Sequence, residues 1–246
     1  MQRRDFGGGE LTVFGNDRRD EVLLLRGLGT WIEDYIPLIE LLTRKYAVIV
    51  TSMSKMQGFS PQPSSIDEYI DRLGILHTRY KLSPRFEVGH SLGGHLVLRD
   101  VIPFERGVAI SPIVPVPLGA FDYFRQAILQ AVKMSFSGPD PTKGREISLR
   151  ILDKCSSNLR DIIKFAKHLD SAEYVFSPTR TVLAIEARHD EFFPPIPETR
   201  KYFEHKNIVH RIVDRNHAWP LLYSNEVYDT IDNFFEGGKV SEQLFF

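Results

Sequence analysis

Three observations predict an α/β fold with a mostly parallel sheet covered by helices on both faces. Short buried-type strands alternate with stretches of helical periodicity, one strand runs directly into a glycine-flanked serine that opens a helix, and the alternation resumes after a proline-broken helical stretch. The chain has 246 residues, 42% of them hydrophobic and 26% charged. It is long enough to bury a substantial core as one domain carrying an insertion.

Residues 10–14 read as a strand, preceded by a Gly7-Gly8-Gly9 turn that could close a small hairpin with the first residues. Residues 21–25 form a short apolar run of the kind found in a central strand. Over residues 31–46, Ile32, Tyr35, Ile36, Ile39, Leu42 and Tyr46 recur at helical spacing, and 47–50 is again a buried-type strand. A connection rich in Pro, Ser and Gly over 58–65 leads to a helix over 66–80. Residues 84–88 alternate charged and apolar side chains and supply β-favouring Phe86 and Val88, and 92–101 returns to helical spacing. Strands follow at 107–110, 181–185 and 209–212, with a closing helix over 224–235. Between 112 and 178 the rhythm changes. Pro112, Pro115 and Pro117 break the chain, and helical stretches run near 121–134, 148–155 and 158–169. The expected division is a core of 1–111 and 179–246, with 112–178 inserted as a helical cap.

The strand-to-helix turn reads Val88-Gly89-His90-Ser91-Leu92-Gly93-Gly94. Gly89 and Gly93 let strand and helix approach closely while Ser91 is held strained and exposed, where its hydroxyl can act as a nucleophile. A serine nucleophile needs a base, and the base needs an anion to hold its tautomer. Among eight histidines, His217 stands on a loop after the strand at 209–212 and before the last helix, which puts it at the carboxyl edge of the sheet. His90 and His95 are expected to pack or hydrogen-bond beside the elbow. His77, His168, His205 and His210 have no loop setting. For the acid, Asp190 follows the strand at 181–185 on a loop at the same edge, and gives the order Ser, Asp, His. Glu186, Glu191 and Asp214 are its rivals, and His189 reads as loop scaffold. The oxyanion that forms on attack needs fixed donors. The Leu92 amide at the start of the elbow helix is one. The Leu28 amide in Arg26-Gly27-Leu28-Gly29-Thr30 is the other. That loop has too few glycines for a phosphate loop, and no Lys-Ser or Lys-Thr follows.

With these residues in place, the sequence resembles the α/β-hydrolase superfamily over residues 10–235, in particular small capped serine esterases and lactonases. The resemblance implies the α/β-hydrolase fold, a twisted sheet of about eight strands with the cap inserted after the strand ending near Ile110. It also implies Ser91 as nucleophile, Asp190 as acid, His217 as base, and Leu28 and Leu92 as backbone oxyanion donors. Two positions depart from the pattern. Arg26 stands where the family usually has histidine, and residues 51–60 keep only the end of the usual acidic, glycine-rich turn. A serine nucleophile argues against the dehalogenase and epoxide hydrolase chemistries of the superfamily, which resemble an aspartate at that position.

The expected activity is therefore hydrolysis of a small to medium apolar ester, thioester or lactone, with no cofactor and no metal. Trp31, Phe121, Phe124 and Trp219, with Tyr123 and Phe136, are candidate pocket walls. The alternatives are a carbon–carbon bond hydrolase or perhydrolase using the same triad, and a catalytically silent member that binds a small hydrophobic ligand. A net charge of −1 and the lack of a long basic run give no footprint for nucleic acid. The one cysteine, Cys155, excludes an internal disulfide and a cysteine-based zinc cluster. The first residues lack the apolar core of a signal peptide, and no run approaches the ~18 apolar residues of a membrane span. A cytoplasmic location is the corresponding expectation.

Overall fold

The structure is a computed structural model that describes residues 2–16, 19–52, 56, 63, 65–114, 125, 126, 129, 132, 133, 135, 139–157 and 176–238. The first half supplies β1 (Arg3–Phe6), β2 (Leu11–Phe14), β3 (Glu21–Leu25), α1 (Ile36–Leu42), β4 (Ala47–Thr51), α2 (Ile66–Tyr80), β5 (Phe86–His90), α3 (Leu92–Leu98) and β6 (Arg106–Ile110). Then come α4 (Pro141–Ser157), β7 (Thr181–His189), α5 (Pro197–Arg200), β8 (Ile208–Asn216), α6 (Trp219–Leu222) and α7 (Ser224–Phe235). The strands form one eight-stranded sheet in the order β1-β2-β4-β3-β5-β6-β7-β8. β1 and β2 are antiparallel, as are β2 and β4, and every other pair is parallel. The expected hairpin at the start is the β1–β2 pair.

Period-two alternation divides the core between the two faces of the sheet. In β3, Leu23 and Leu25 pack with Leu73 and Leu76 of α2 and Leu92 and Leu96 of α3. Val22 and Leu24 face the opposite way, toward Leu38 and Leu42 of α1 and Ile231 and Phe234 of α7. Each such side chain, fully buried, contributes about 1.5–3 kcal/mol. Both faces are therefore closed, and the strands run as continuous apolar segments.

The helices at 66–80 and 224–235 have the bounds their periodicity predicts. At α2 the reason is visible: the Ser65 hydroxyl accepts from the Glu68 amide at 3.1 Å, and Lys81 ends the helix at φ 51°. The helix expected over 31–46 is shorter. A 3-10 turn occupies Ile32–Tyr35, and α1 starts afresh at Ile36 with Pro37 in its first turn. Proline lacks the N–H that a continuous helix would need there and suits a helix start. Of the stretch expected to form a cap, α4 is described and is longer at both ends than the predicted 148–155. The helices expected near 121–134 and 158–169 lie largely or wholly outside the described residues. Among the described residues no helix is long and apolar enough to cross a membrane.

One strand residue departs from its sequence pattern. The alternation over 84–88 puts Glu87 on a polar face, yet β5 is central, and Glu87 is 1% exposed with neither carboxyl oxygen hydrogen-bonded among the described residues. Burial, and then the charge of Asp100, push its pKa well above the ordinary glutamate value. The folded state therefore holds a proton that the unfolded chain releases once the pH passes its ordinary value of 4.5. Stability contributed by this group is present below that pH and declines as pH rises through the window up to the raised pKa. Glu87→Leu is expected to flatten this decline and to stabilise the fold at neutral pH by about 1–3 kcal/mol. Thermal melting of both proteins from mildly acidic to neutral pH checks it.

Candidate active site

The elbow residue Ser91 has φ 56° and ψ −115°, a left-handed conformation that a side-chain-bearing residue adopts only under constraint. The constraint comes from both flanks. The Ser91 amide donates to the Ile110 carbonyl at 2.9 Å, and the Ser91 carbonyl accepts from His95 at 3.0 Å as α3 begins. A Cβ on Gly89 would stand 2.1 Å from the Gly93 carbonyl oxygen, and one on Gly93 would stand 2.0 Å from the Leu25 carbonyl oxygen. The two glycines of the motif thus let β5, α3 and β3 converge beneath the serine.

β7 and β8 run past the end of their neighbour: β6 stops where Ile110 pairs with Ile185, but β7 continues to His189 and β8 to Asn216. The polar residues 186–189 and 213–216 made these extensions read as loop, and strand pairing of Glu186 with Ile212 and Ala187 with Val213 overrides that. The extensions carry Asp190 and His217 beyond the carboxyl edge of the sheet. There His217 Nδ1 and Asp190 Oδ2 are 2.7 Å apart, with both residues buried. The other carboxylate oxygen, Oδ1, accepts from the amides of Phe192 and Phe193, each at 2.8 Å. These two bonds fix the carboxylate plane. They were not anticipated from the sequence, although an aspartate opening a loop commonly accepts from backbone amides two or three residues on. The Phe192 and Phe193 rings also lie against the His217 imidazole, at centroid distances of 5.0 and 5.8 Å.

The rival acids are engaged elsewhere. Glu186 Oε2 is 2.6 Å from His210 Nε2, whose ring stacks on Phe203 at 4.6 Å. Asp214 Oδ1 is 2.8 Å from His189 Nε2, and His189, expected on a loop, is the last residue of β7. Glu191 Oε1 accepts from Lys133 Nζ at 2.5 Å. His95 Nδ1 meets the Ile113 carbonyl at 2.9 Å, and burial drives its pKa down to about 4.

The loop after β3 closes over the elbow. The Thr30 amide donates to the Gly27 carbonyl at 3.3 Å, and Gly29, between them, has φ 79°, the conformation demanded at the third position of a type II turn. A Cβ on Gly27 would lie 3.2 Å from Ser91 Cβ and 3.1 Å from His90 Nδ1, so the loop and the elbow nearly touch. Among the described residues, neither the Leu28 amide nor the Leu92 amide donates a hydrogen bond. Arg26 anchors this loop: its guanidinium donates to the Thr30 carbonyl at 2.5 Å and, more weakly, to the Thr51 carbonyl at 3.4 Å.

The candidate pocket walls divide. Trp31 is 46% exposed beside the loop, and Trp219 has no exposed surface and packs into the core with Ala218 and Leu221, rooting the loop that carries His217. Phe121, Tyr123, Phe124 and Phe136 lie outside the described residues.

The fold is shared with known proteins. A family model described as alpha/beta hydrolase family matches residues 22–230. Among solved structures, the 2-hydroxy-6-oxo-6-phenylhexa-2,4-dienoate hydrolase from Rhodococcus sp. strain RHA1 superposes with a TM-score of 0.71 at 16% identity, covering 96% of this chain and 98% of that one. A thermophilic esterase from Thermogutta terrifontis gives 0.68 at 17% identity, with 96% and 99% covered. The enol-lactonase from Burkholderia xenovorans LB400 gives 0.68 at 15% identity, with 92% and 95% covered. No curated protein matches the chain.

Proposed function

The chain belongs to the alpha/beta hydrolase family, and from that premise we propose that it is a serine hydrolase cleaving a small to medium apolar carboxylic ester, thioester or lactone through an acyl-enzyme. The observation that carries this reading is the 2.7 Å pair of His217 Nδ1 and Asp190 Oδ2, set at the sheet edge where Ser91 is held at φ 56°. Asp190, its carboxylate fixed by two amides, accepts the Nδ1 proton of His217. That leaves Nε2 as the nitrogen free to take the nucleophile's proton in this reading.

In the proposed reaction Ser91 Oγ attacks the substrate carbonyl carbon while His217 Nε2 takes the hydroxyl proton. The oxyanion of the tetrahedral intermediate is received by the free amides of Leu28 and Leu92, the latter at the positive end of α3. The imidazolium then gives its proton to the leaving oxygen or sulfur, and the acyl group stays on Ser91. Water deprotonated by the same nitrogen attacks the acyl carbon, the imidazolium returns that proton to Ser91 Oγ as the bond between the acyl carbon and Oγ breaks, and the acid leaves. In this reading residues 112–178 cap the site, with Trp31, Phe121 and Phe124 as apolar walls and Trp219 acting from the core.

A panel of p-nitrophenyl esters of increasing chain length, a thioester, a lactone and a vinylogous diketone tests the bond class. The expected result is ester or lactone turnover by the native chain that falls roughly ten-thousand-fold in His217→Ala. Turnover of the diketone alone would replace this reading with carbon–carbon bond hydrolysis. Turnover equal in the two proteins would remove the base from the account.

A further inference from the structure

At the elbow, next to Ser91, lies another buried histidine, and its hydrogen bonds run in one direction. His90 Nε2 is 3.0 Å from the backbone carbonyl oxygen of His217, and Nδ1 is 2.7 Å from the Tyr35 hydroxyl oxygen. A carbonyl can only accept, so Nε2 carries a proton. His90 is 3% exposed, and burial followed by the neighbouring His217 lowers its pKa to about 3, so the ring is neutral and Nδ1 is an acceptor. The Tyr35 hydroxyl must therefore donate to Nδ1. Its oxygen in turn accepts from the Gly27 amide at 3.1 Å, and burial pushes its pKa up to about 12, which keeps the phenol protonated. The Thr30 hydroxyl closes the same turn by donating to the Gly27 carbonyl at 2.7 Å.

We propose that Tyr35 and His90 are positioning residues: a chain from the Gly27 N–H through the Tyr35 O–H to His90 Nδ1, and from His90 Nε2–H to the His217 carbonyl, ties the oxyanion loop to the loop of the base. The inference rests on the reading of Ser91, His217 and Leu28 given above. The chain passes beside Ser91, because His90 is its neighbour in sequence and a Cβ on Gly27 would lie 3.2 Å from Ser91 Cβ and 3.1 Å from His90 Nδ1. It links two loops that the fold otherwise places on separate strands, β3 and β8. Each link polarises the next in the same sense, and every donor and acceptor along the chain is used. A loop displaced by an ångström costs rate rather than affinity, since the Leu28 amide meets charge that exists only after attack.

Two measurements test this. A long-range proton–nitrogen correlation spectrum of the native protein should show His90 as the Nε2–H tautomer, without titration between about pH 5 and pH 9. A His90 that titrates in that range, or carries its proton on Nδ1, would overturn the proposal, and this result does not depend on any variant folding. Kinetically, Tyr35→Phe keeps the ring in the core and removes the hydroxyl alone. Its kcat on the best ester should fall about tenfold or more, with KM changed by no more than about twofold. Native kcat in Tyr35→Phe, alongside a Ser91→Ala protein that is dead, would defeat the positioning role and leave the serine mechanism standing. Native protein with no turnover that depends on Ser91 would defeat the mechanism, and the positioning role with it.

Discussion

Ser91→Ala is expected to lower turnover of the preferred ester by a factor on the order of a thousand to a million, with folding intact. Removing one hydroxyl takes away the group that forms the acyl-enzyme, and what remains is the modest help of oriented amides and substrate binding. The same change should leave stability nearly unchanged, because alanine keeps the Cβ and with it the strain of φ 56°, a conformation that costs about 1–3 kcal/mol. Ser91→Gly should instead raise the melting temperature, since glycine adopts that conformation without strain. Steady-state kinetics and thermal melting on the three proteins separate the effects, and a Ser91→Ala protein with native kcat would exclude an acyl-serine route.

Gly93→Ala is expected to be, with Gly89→Ala, among the most damaging glycine substitutions in the described residues. The new Cβ would stand 2.0 Å from the Leu25 carbonyl oxygen and 2.5 Å from its carbon, which are backbone atoms of β3 and cannot rotate away. α3 or β3 must shift, and overpacking of this kind costs about 3 kcal/mol or more, or roughly 10 °C in a chain of this size. The shift would also move Ser91 and the loop after Leu25, so activity should fall with stability. Gly74, inside α2, is the control. A Cβ there meets nothing within 4 Å, and alanine in its place should stabilise by about 0.5–1 kcal/mol through helix propensity alone. Equal melting temperatures for Gly93→Ala and Gly74→Ala would contradict the close approach that the motif glycines serve.

How much of this was legible in the sequence depended on whether the deciding contact was local. α2 and α7 could be bounded from the chain because their apolar stripes and their ends are written in adjacent residues. The glycines around Ser91 were legible for the same reason, since the strand, turn and helix that need them are contiguous. β7 and β8 were read as too short because Glu186, Arg188, Asp214 and Arg215 look like loop residues. The pairing that keeps them extended comes from a neighbour strand over twenty residues away. The burial of Glu87 was not legible, because alternation of charged and apolar residues cannot tell an edge strand from a central one. At the site, Asp190 was one of four carboxylates near the right edge, and no sequence rule says that His210, His189 and Lys133 engage the other three. Tyr35 was assigned to a helix face, and its bond to His90 spans 55 residues. Sequence spacing cannot show that bond, although a tyrosine soon after the glycine loop and a histidine before the serine were both in view.

The central claim is that Ser91 is a nucleophile activated by His217, and covalent labelling with a fluorophosphonate probe followed by peptide mapping tests it most directly. The account predicts one adduct, on Ser91, lost in Ser91→Ala and formed far more slowly in His217→Ala. An unlabelled native protein, or an adduct that persists in Ser91→Ala, would contradict it.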